Sequence, residues 1–96
     1  MNYYILFYET AEGYAEKRQP YRDTHLNLIR KAAAAGTLVM AGAYEPADGA
    51  ALIFKGESEE VAEAFAREDP YVLRGLIKRW WVREWRVVEG VKGLRG

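Results

Sequence analysis

Apolar and polar positions change period repeatedly along this chain, and each change marks an element. Tyr3 to Tyr8 is a short run of aromatic and aliphatic residues with no polar face, the pattern of a strand buried on both sides. Ala11 to Gly13 punctuates it. A helix opens across Arg18 to Pro20 and continues to about Ala35, where Gly36 supplies the stop. On a helical wheel His25, Leu28, Ile29, Ala32 and Ala33 share one arc, so His25 lies within the apolar face, one turn after Arg22. Thr37 to Gly42 reads as a second strand and Ala50 to Lys55 as a third, and Glu45 to Gly49 between them has strong turn chemistry. Strands joined by so short a connection pair as a hairpin. Ser58 is a good N-cap, and Glu59 and Glu60 place negative charge in the first turn of a second helix carrying Val61, Ala64 and Phe65. The last strand is expected from about Ile77 to Val88. A glycine-rich tail, Gly90 to Gly96, follows the domain of residues 1–89.

Between the second helix and the last strand lies Glu68-Asp69-Pro70-Tyr71, with Gly75-Leu76 just behind. Proline donates no backbone hydrogen bond and pushes its predecessor away from α geometry, so the helix should stop at or before Asp69. Asp69 stands four residues after Phe65 and eight after Val61, which aims its carboxylate towards the core side of the stripe. Asp followed by Pro is also a good N-cap and first-position pair for a short turn, Pro70 to Arg74, closed by Gly75. Capping leaves room for a second role.

The order strand, helix, strand, strand, helix, strand is that of an α+β, ferredoxin-like split βαβ fold. Right-handed crossovers put both helices on one face of a single antiparallel sheet. Yet the strands carry apolar and aromatic residues on both faces, and a lone domain would expose the second set as a large patch. A homodimer packed through the open sheet face resolves this. His25 and Asp69 belong to the helix side.

Composition narrows the function classes. With 96 residues the chain forms one domain, with a modest core that a partner subunit would extend. Lys plus Arg and Asp plus Glu balance at 14 each, which argues against neutralising nucleic-acid backbones or anionic membrane as the main task. There is no cysteine, so disulfides, zinc-thiolate sites and thiol nucleophiles are out. The N-terminus has no basic region before its strand, and no apolar run reaches membrane-spanning length, which makes the cytoplasm the expected compartment. Interleaved Trp80, Trp81, Trp85 and Arg79, Arg83, Arg86 could stack bases. More often such a strand is half buried, with arginines along aromatic faces or reaching carboxylates.

Arg22-Asp23-Thr24-His25-Leu26, Gly42, Asp69-Pro70-Tyr71 with Gly75-Leu76, and Trp85 resemble, in order and spacing, the YciI-like (YCII-related) family from Tyr4 to Val88. The resemblance implies a ferredoxin-like fold assembled into a dimeric α/β barrel. It also implies an active site in which a histidine and an aspartate pair, roles that fall on His25 and Asp69. Most members have no assigned reaction, and one branch is associated with dehydrochlorination of an aromatic degradation intermediate. Ala43 stands where the family often has proline, and no residue points to a chlorinated substrate.

A histidine and an aspartate in hydrogen-bond reach form an oriented general base. The expected function is thus a small cofactor-independent enzyme of lyase or isomerase type, with His25 moving the proton and Asp69 orienting it. Arg22 would hold a substrate anion, or else form a salt bridge to Glu68 or Asp69. Tyr71 would supply a wall or a hydroxyl. One histidine with scattered carboxylates is not a metal-ligand pattern. The alternatives are a non-catalytic small-ligand-binding or assembly module and a haem-using barrel enzyme with His25 as axial ligand.

Overall fold

The computed structural model describes residues 1–91. Strand β1 (Asn2–Thr10) is followed by a short helix α1 (Tyr14–Lys17), a 3-10 turn (Gln19–Tyr21) and helix α2 (Arg22–Ala34). Then come β2 (Leu38–Ala43), β3 (Gly49–Gly56), helix α3 (Glu60–Glu68), the one-turn helix α4 (Pro70–Leu73) and β4 (Ile77–Trp85). The sheet is antiparallel throughout, in the order β2-β3-β1-β4. This is the ferredoxin-like α+β arrangement.

Two boundaries differ from expectation. The first helical block is broken: Gly13, at φ 77°, starts a separate turn at Tyr14, and α2 begins only at Arg22. Pro20 explains the break, because its missing N–H and fixed φ suit the start of the 3-10 turn, where it follows Gln19, but cannot continue a ladder from Tyr14. Arg18 therefore lies outside the helix that bears His25. The last strand ends at Trp85 instead of Val88, and Val88 is 95% exposed, with no apolar neighbour to hold it in the sheet. Of the tail, Val91 is exposed, and residues 92–96, Leu94 included, lie outside the described residues.

Side-chain alternation on the central strand divides the molecule. Tyr4, Leu6 and Tyr8 are buried and join Leu52 and Phe54 of β3 in a core with Ala62, Phe65 and Ala66 of α3. Those three α3 residues recur at helical spacing, and Phe65 meets Phe54 at a centroid distance of 5.3 Å. The Ser58 hydroxyl accepts from the Glu60 N–H at 3.3 Å, but the N-cap of α3 is Glu59, whose side chain makes no capping bond, so Ser58 stands one position before the cap expected of it.

Helix α2 sits differently. None of its residues is buried, and Ala33, placed by the helical wheel in the apolar arc, is exposed. The cause lies beneath it: where α2 crosses the sheet, Ala41, Ala43 and Ala50 present only methyl groups. A cavity of about 290 Å³ occupies the space that larger side chains would fill.

Candidate functional site

The geometry of the site begins at the corner after α3. Asp69 leaves helical geometry at φ −69°, ψ 121°, as the residue before Pro70 must, and its Oδ1 accepts the Tyr71 backbone N–H at 3.0 Å. It is thus the N-cap of α4. Capping uses only part of its capacity, because a carboxylate offers several lone-pair sites. Tyr8 on β1 donates its hydroxyl to Oδ2 at 2.7 Å, and His25 Nδ1 on α2 lies 2.9 Å from Oδ1. Asp69 is fully buried, and its three partners satisfy it there.

An ionised carboxylate only accepts hydrogen bonds, so the proton between the two residues belongs on His25 Nδ1 and the other ring nitrogen, Nε2, carries the lone pair. The ring is clamped as well as bonded. Tyr71 stacks on it at 3.8 Å with an interplanar angle of 9°, and Tyr14 meets Tyr71 edge-on at 5.6 Å. The His25 side chain remains 14% exposed, and that opening faces the cavity under α2. Burial above all, then the charge of Asp69 and the bond to it, pushes the Tyr8 phenol well above its ordinary value, so it stays a neutral donor.

The four residues singled out from the sequence, Arg22, His25, Asp69 and Tyr71, come together here. Arg22, His25 and Tyr71 line the cavity, with Asp69 behind the imidazole. Among the described residues Arg22 makes no ion pair, so the salt bridge to Glu68 or Asp69 does not form. Three further lining residues, Tyr8, Tyr14 and Arg18, were not found by sequence reasoning. Tyr8 carried no signal of its own, being one aromatic in a run of six. Arg18 was read as the opening of a helix. No group of three His, Cys, Asp or Glu side chains with metal-ligand geometry occurs among the described residues, and no described helix is long and apolar enough to cross a membrane.

On the open face the aromatic residues of β4 are arranged as strand neighbours. Phe7 stacks on Trp81 at 5.3 Å, and Arg79 lies over Trp81 at 4.5 Å while its Nε donates to Glu9 at 2.8 Å. Arginine here follows an aromatic face and reaches a carboxylate.

Among the solved structures similar to this chain are two of related fold. One is 5-chloro-2-hydroxyhydroquinone dehydrochlorinase (TftG) from Burkholderia phenoliruptrix AC1100 in complex with 2,5-dihydroxybenzoquinone, with a TM-score of 0.74, 20% identity, and coverage of 86% of this chain and 92% of that one. The other is protein Atu4242 from Agrobacterium tumefaciens, with a TM-score of 0.51, 24% identity, and coverage of 88% and 91%. At these identities the likeness concerns the fold. No curated protein matches the chain. The YCII-related domain matches residues 1–86, so the chain belongs to the YCII-related domain family.

Proposed function

We propose that this protein is a cofactor-independent acid–base enzyme of lyase or isomerase type acting on a small organic molecule. His25 is the base that moves the proton and Asp69 orients it. The observation that carries the reading is the 2.9 Å contact between His25 Nδ1 and a fully buried Asp69, beside a cavity of about 290 Å³. In the resting state Asp69 holds the Nδ1 proton, and Nε2 takes a proton from a substrate carbon or hydroxyl at the cavity wall. The imidazolium that forms is stabilised by the adjacent carboxylate and returns the proton to the leaving or rearranged group. Tyr8 keeps the carboxylate fixed, and Tyr71 keeps the ring plane fixed. A similar fold holds a dihydroxybenzoquinone in TftG, which supports a compact cyclic molecule as the kind of ligand to try first.

The same reading includes a homodimer through the open sheet face. Met40, Trp81 and Trp85 are 56%, 37% and 45% exposed there, beside half-buried Ile5, Phe7 and Ile53. A second sheet laid against this face would remove that apolar surface from water. Light scattering at micromolar concentration is expected to give twice the chain mass.

Proton transfer can be tested without knowing the full reaction. Hydroxylated aromatics, quinols and oxo acids are incubated in deuterated buffer, and loss of carbon-bound proton signals is followed by NMR. Wild-type protein is expected to accelerate exchange of at least one compound by about 100-fold over His25→Gln. Equal rates for the two proteins across the panel would leave a ligand-binding module without catalysis. A visible absorption band of bound haem in the purified protein would favour the haem-using reading.

A further inference from the structure

Two buried polar atoms in the cavity wall have no hydrogen-bond partner among the described residues: Nε of Arg18 and the hydroxyl of Tyr71. An unpaired buried donor is rare because it loses its hydrogen bonds to water and gains nothing in return. Both residues that carry these atoms line the same cavity, next to Arg22, which makes no ion pair among the described residues. Tyr71 is only 2% exposed, and its neighbours prevent it from turning to solvent: its ring is held between His25 and Tyr14. Arg18 is held over the Tyr14 ring at 5.3 Å. The charges of Arg18 and Arg22 both reach the Tyr71 hydroxyl, opposing the rise that burial imposes on its pKa.

We propose that Arg18, Arg22 and the Tyr71 hydroxyl form an oxyanion subsite that receives the carboxylate of the substrate, which makes the substrate a small carboxylic acid with an apolar or aromatic body. This rests on the catalytic reading for what happens next to it, and on the unpaired donors for itself. A carboxylate supplies two acceptor oxygens, one for guanidinium and one for the phenol. The rest of the cavity wall suits the body of such a molecule, since Leu26, Ile29, Ala41, Ala43 and Leu52 offer no charge. His25, stacked on Tyr71, is then beside the bound acid, so the anchored carboxylate presents the adjacent part of the molecule to Nε2. Position and charge of the substrate are set by Arg18 before α2, Arg22 at the first position of α2 and Tyr71 on α4, and proton transfer by His25 and Asp69.

The test uses benzoate and benzamide, which share shape and differ in charge, titrated into the intact protein by calorimetry. Wild-type protein is expected to bind benzoate about tenfold or more tighter than benzamide. Arg18→Gln and Arg22→Gln are each expected to weaken benzoate by about tenfold and to leave benzamide unchanged. Tyr71→Phe removes an unpaired buried hydroxyl, so its melting temperature should stay level or rise while benzoate binding falls a few-fold, by roughly three to five. A hydroxyl with a purely structural role would not produce that opposition. Equal affinity for the two probes, no benzoate binding, or arginine variants that bind benzoate like wild type would each overturn the subsite. His25→Gln separates the two proposals: it should lose proton exchange and keep benzoate selectivity. Exchange on neutral compounds without benzoate selectivity removes the subsite alone, and benzoate selectivity without any exchange removes only the catalytic reading.

Discussion

Tyr8 and Phe7 are neighbours on one strand and face opposite ways, and the two sides of the sheet treat polar groups by opposite rules. Tyr8 is buried among helices and gives its hydroxyl to a carboxylate that also caps α4 and meets His25. Phe7 stacks on Trp81, at the edge of which an exposed Glu9 pairs with Arg79 and Lys78. On the helix side a charge is retained because every lone pair that matters has a donor. On the open side Glu9, Arg79 and Arg83 sit along the end of β1 and the β4 edge, and the apolar residues Ile5, Phe7 and Ile53 beside them are without cover in the single chain. Buried polarity marks the place proposed for chemistry, and uncovered apolarity the place proposed for assembly.

The sharpest way to break this contrast is to remove the central carboxylate. Asp69→Ala leaves the Tyr8 hydroxyl buried without an acceptor and α4 without its cap, so urea melts are expected to show a loss of about 3 kcal/mol. Asp69→Asn keeps an acceptor for the cap but turns one oxygen into a donor facing Tyr8 or His25, with an expected loss of about 1–2 kcal/mol. A loss in Asp69→Ala no greater than that of an exposed cap would mean that the buried network contributes nothing to folding.

Next in size is the open face. Trp81→Asp puts a charge beside Phe7 in the exposed row that also holds Trp85, and is expected to weaken the proposed self-association by about 100-fold, or about 2.7 kcal/mol. Sedimentation should then give the monomer at the micromolar concentrations where the proposed wild-type dimer is expected, with the secondary structure unchanged by circular dichroism. Unaltered association would move the interface elsewhere.

Tyr8→Phe tests the other side of the same strand, with an expected loss of about 1.5 kcal/mol for one hydrogen bond to a charged acceptor. It carries a pH signature too. The folded Tyr8 phenol titrates above its ordinary value, chiefly because it is buried and secondarily because of Asp69. Above about pH 10 the unfolded chain therefore ionises this group while the folded chain does not. Stability is full below that value and declines as pH rises above it. Melts of Tyr8→Phe between neutral and strongly alkaline pH should decline less steeply than wild type.

The smallest effect is expected at Glu9, whose carboxyl is held below its ordinary range by the bond from Arg79 first, with help from Lys78. The stability it contributes is present above the ordinary carboxylate value and is lost as pH falls through the lowered folded value. In Glu9→Gln this acid-side loss should disappear. Salt should erase it in a monomeric variant, where the pair is exposed, and should erase it less in a dimer that covers the face.

Much of the fold was legible because its punctuation is chemical. Pro70 ends α3, Gly36 and Gly75 take left-handed φ values of 83° and 75° where helical segments stop, and the turn between β2 and β3 shortens their connection to a hairpin. His25 and Asp69 could be placed on the helix side because each follows an apolar stripe at helical spacing. Tyr8 could not be singled out, because every residue of its run is apolar or aromatic, and parity acquires meaning only when the helices cover one face. Arg18 was hidden for another reason: its place depends on the 3-10 turn around Pro20, and one proline near a helix start reads equally well as the first helical position. The early end of β4 reflects pairing, since its ladder with β1 ends at Tyr3 and Trp85 and only Met1 and Asn2 precede Tyr3, so that Val88 has no residue opposite it.

The short segment from Tyr14 to Tyr21 contains no buried residue, and yet it contributes Tyr14 and Arg18 to the cavity wall. Of the residues proposed for proton transfer, Asp69 is woven into the framework through its bonds to Tyr8, His25 and the Tyr71 N–H. Of those that would choose the substrate, Arg18 rides on this peripheral segment, whereas Arg22 begins α2 and Tyr71 is buried on α4. Such a division separates two kinds of inheritance: a lineage could exchange one acid for another by changing a few positions in this segment while its reactive pair stayed fixed. It also tells an engineer where to randomise first.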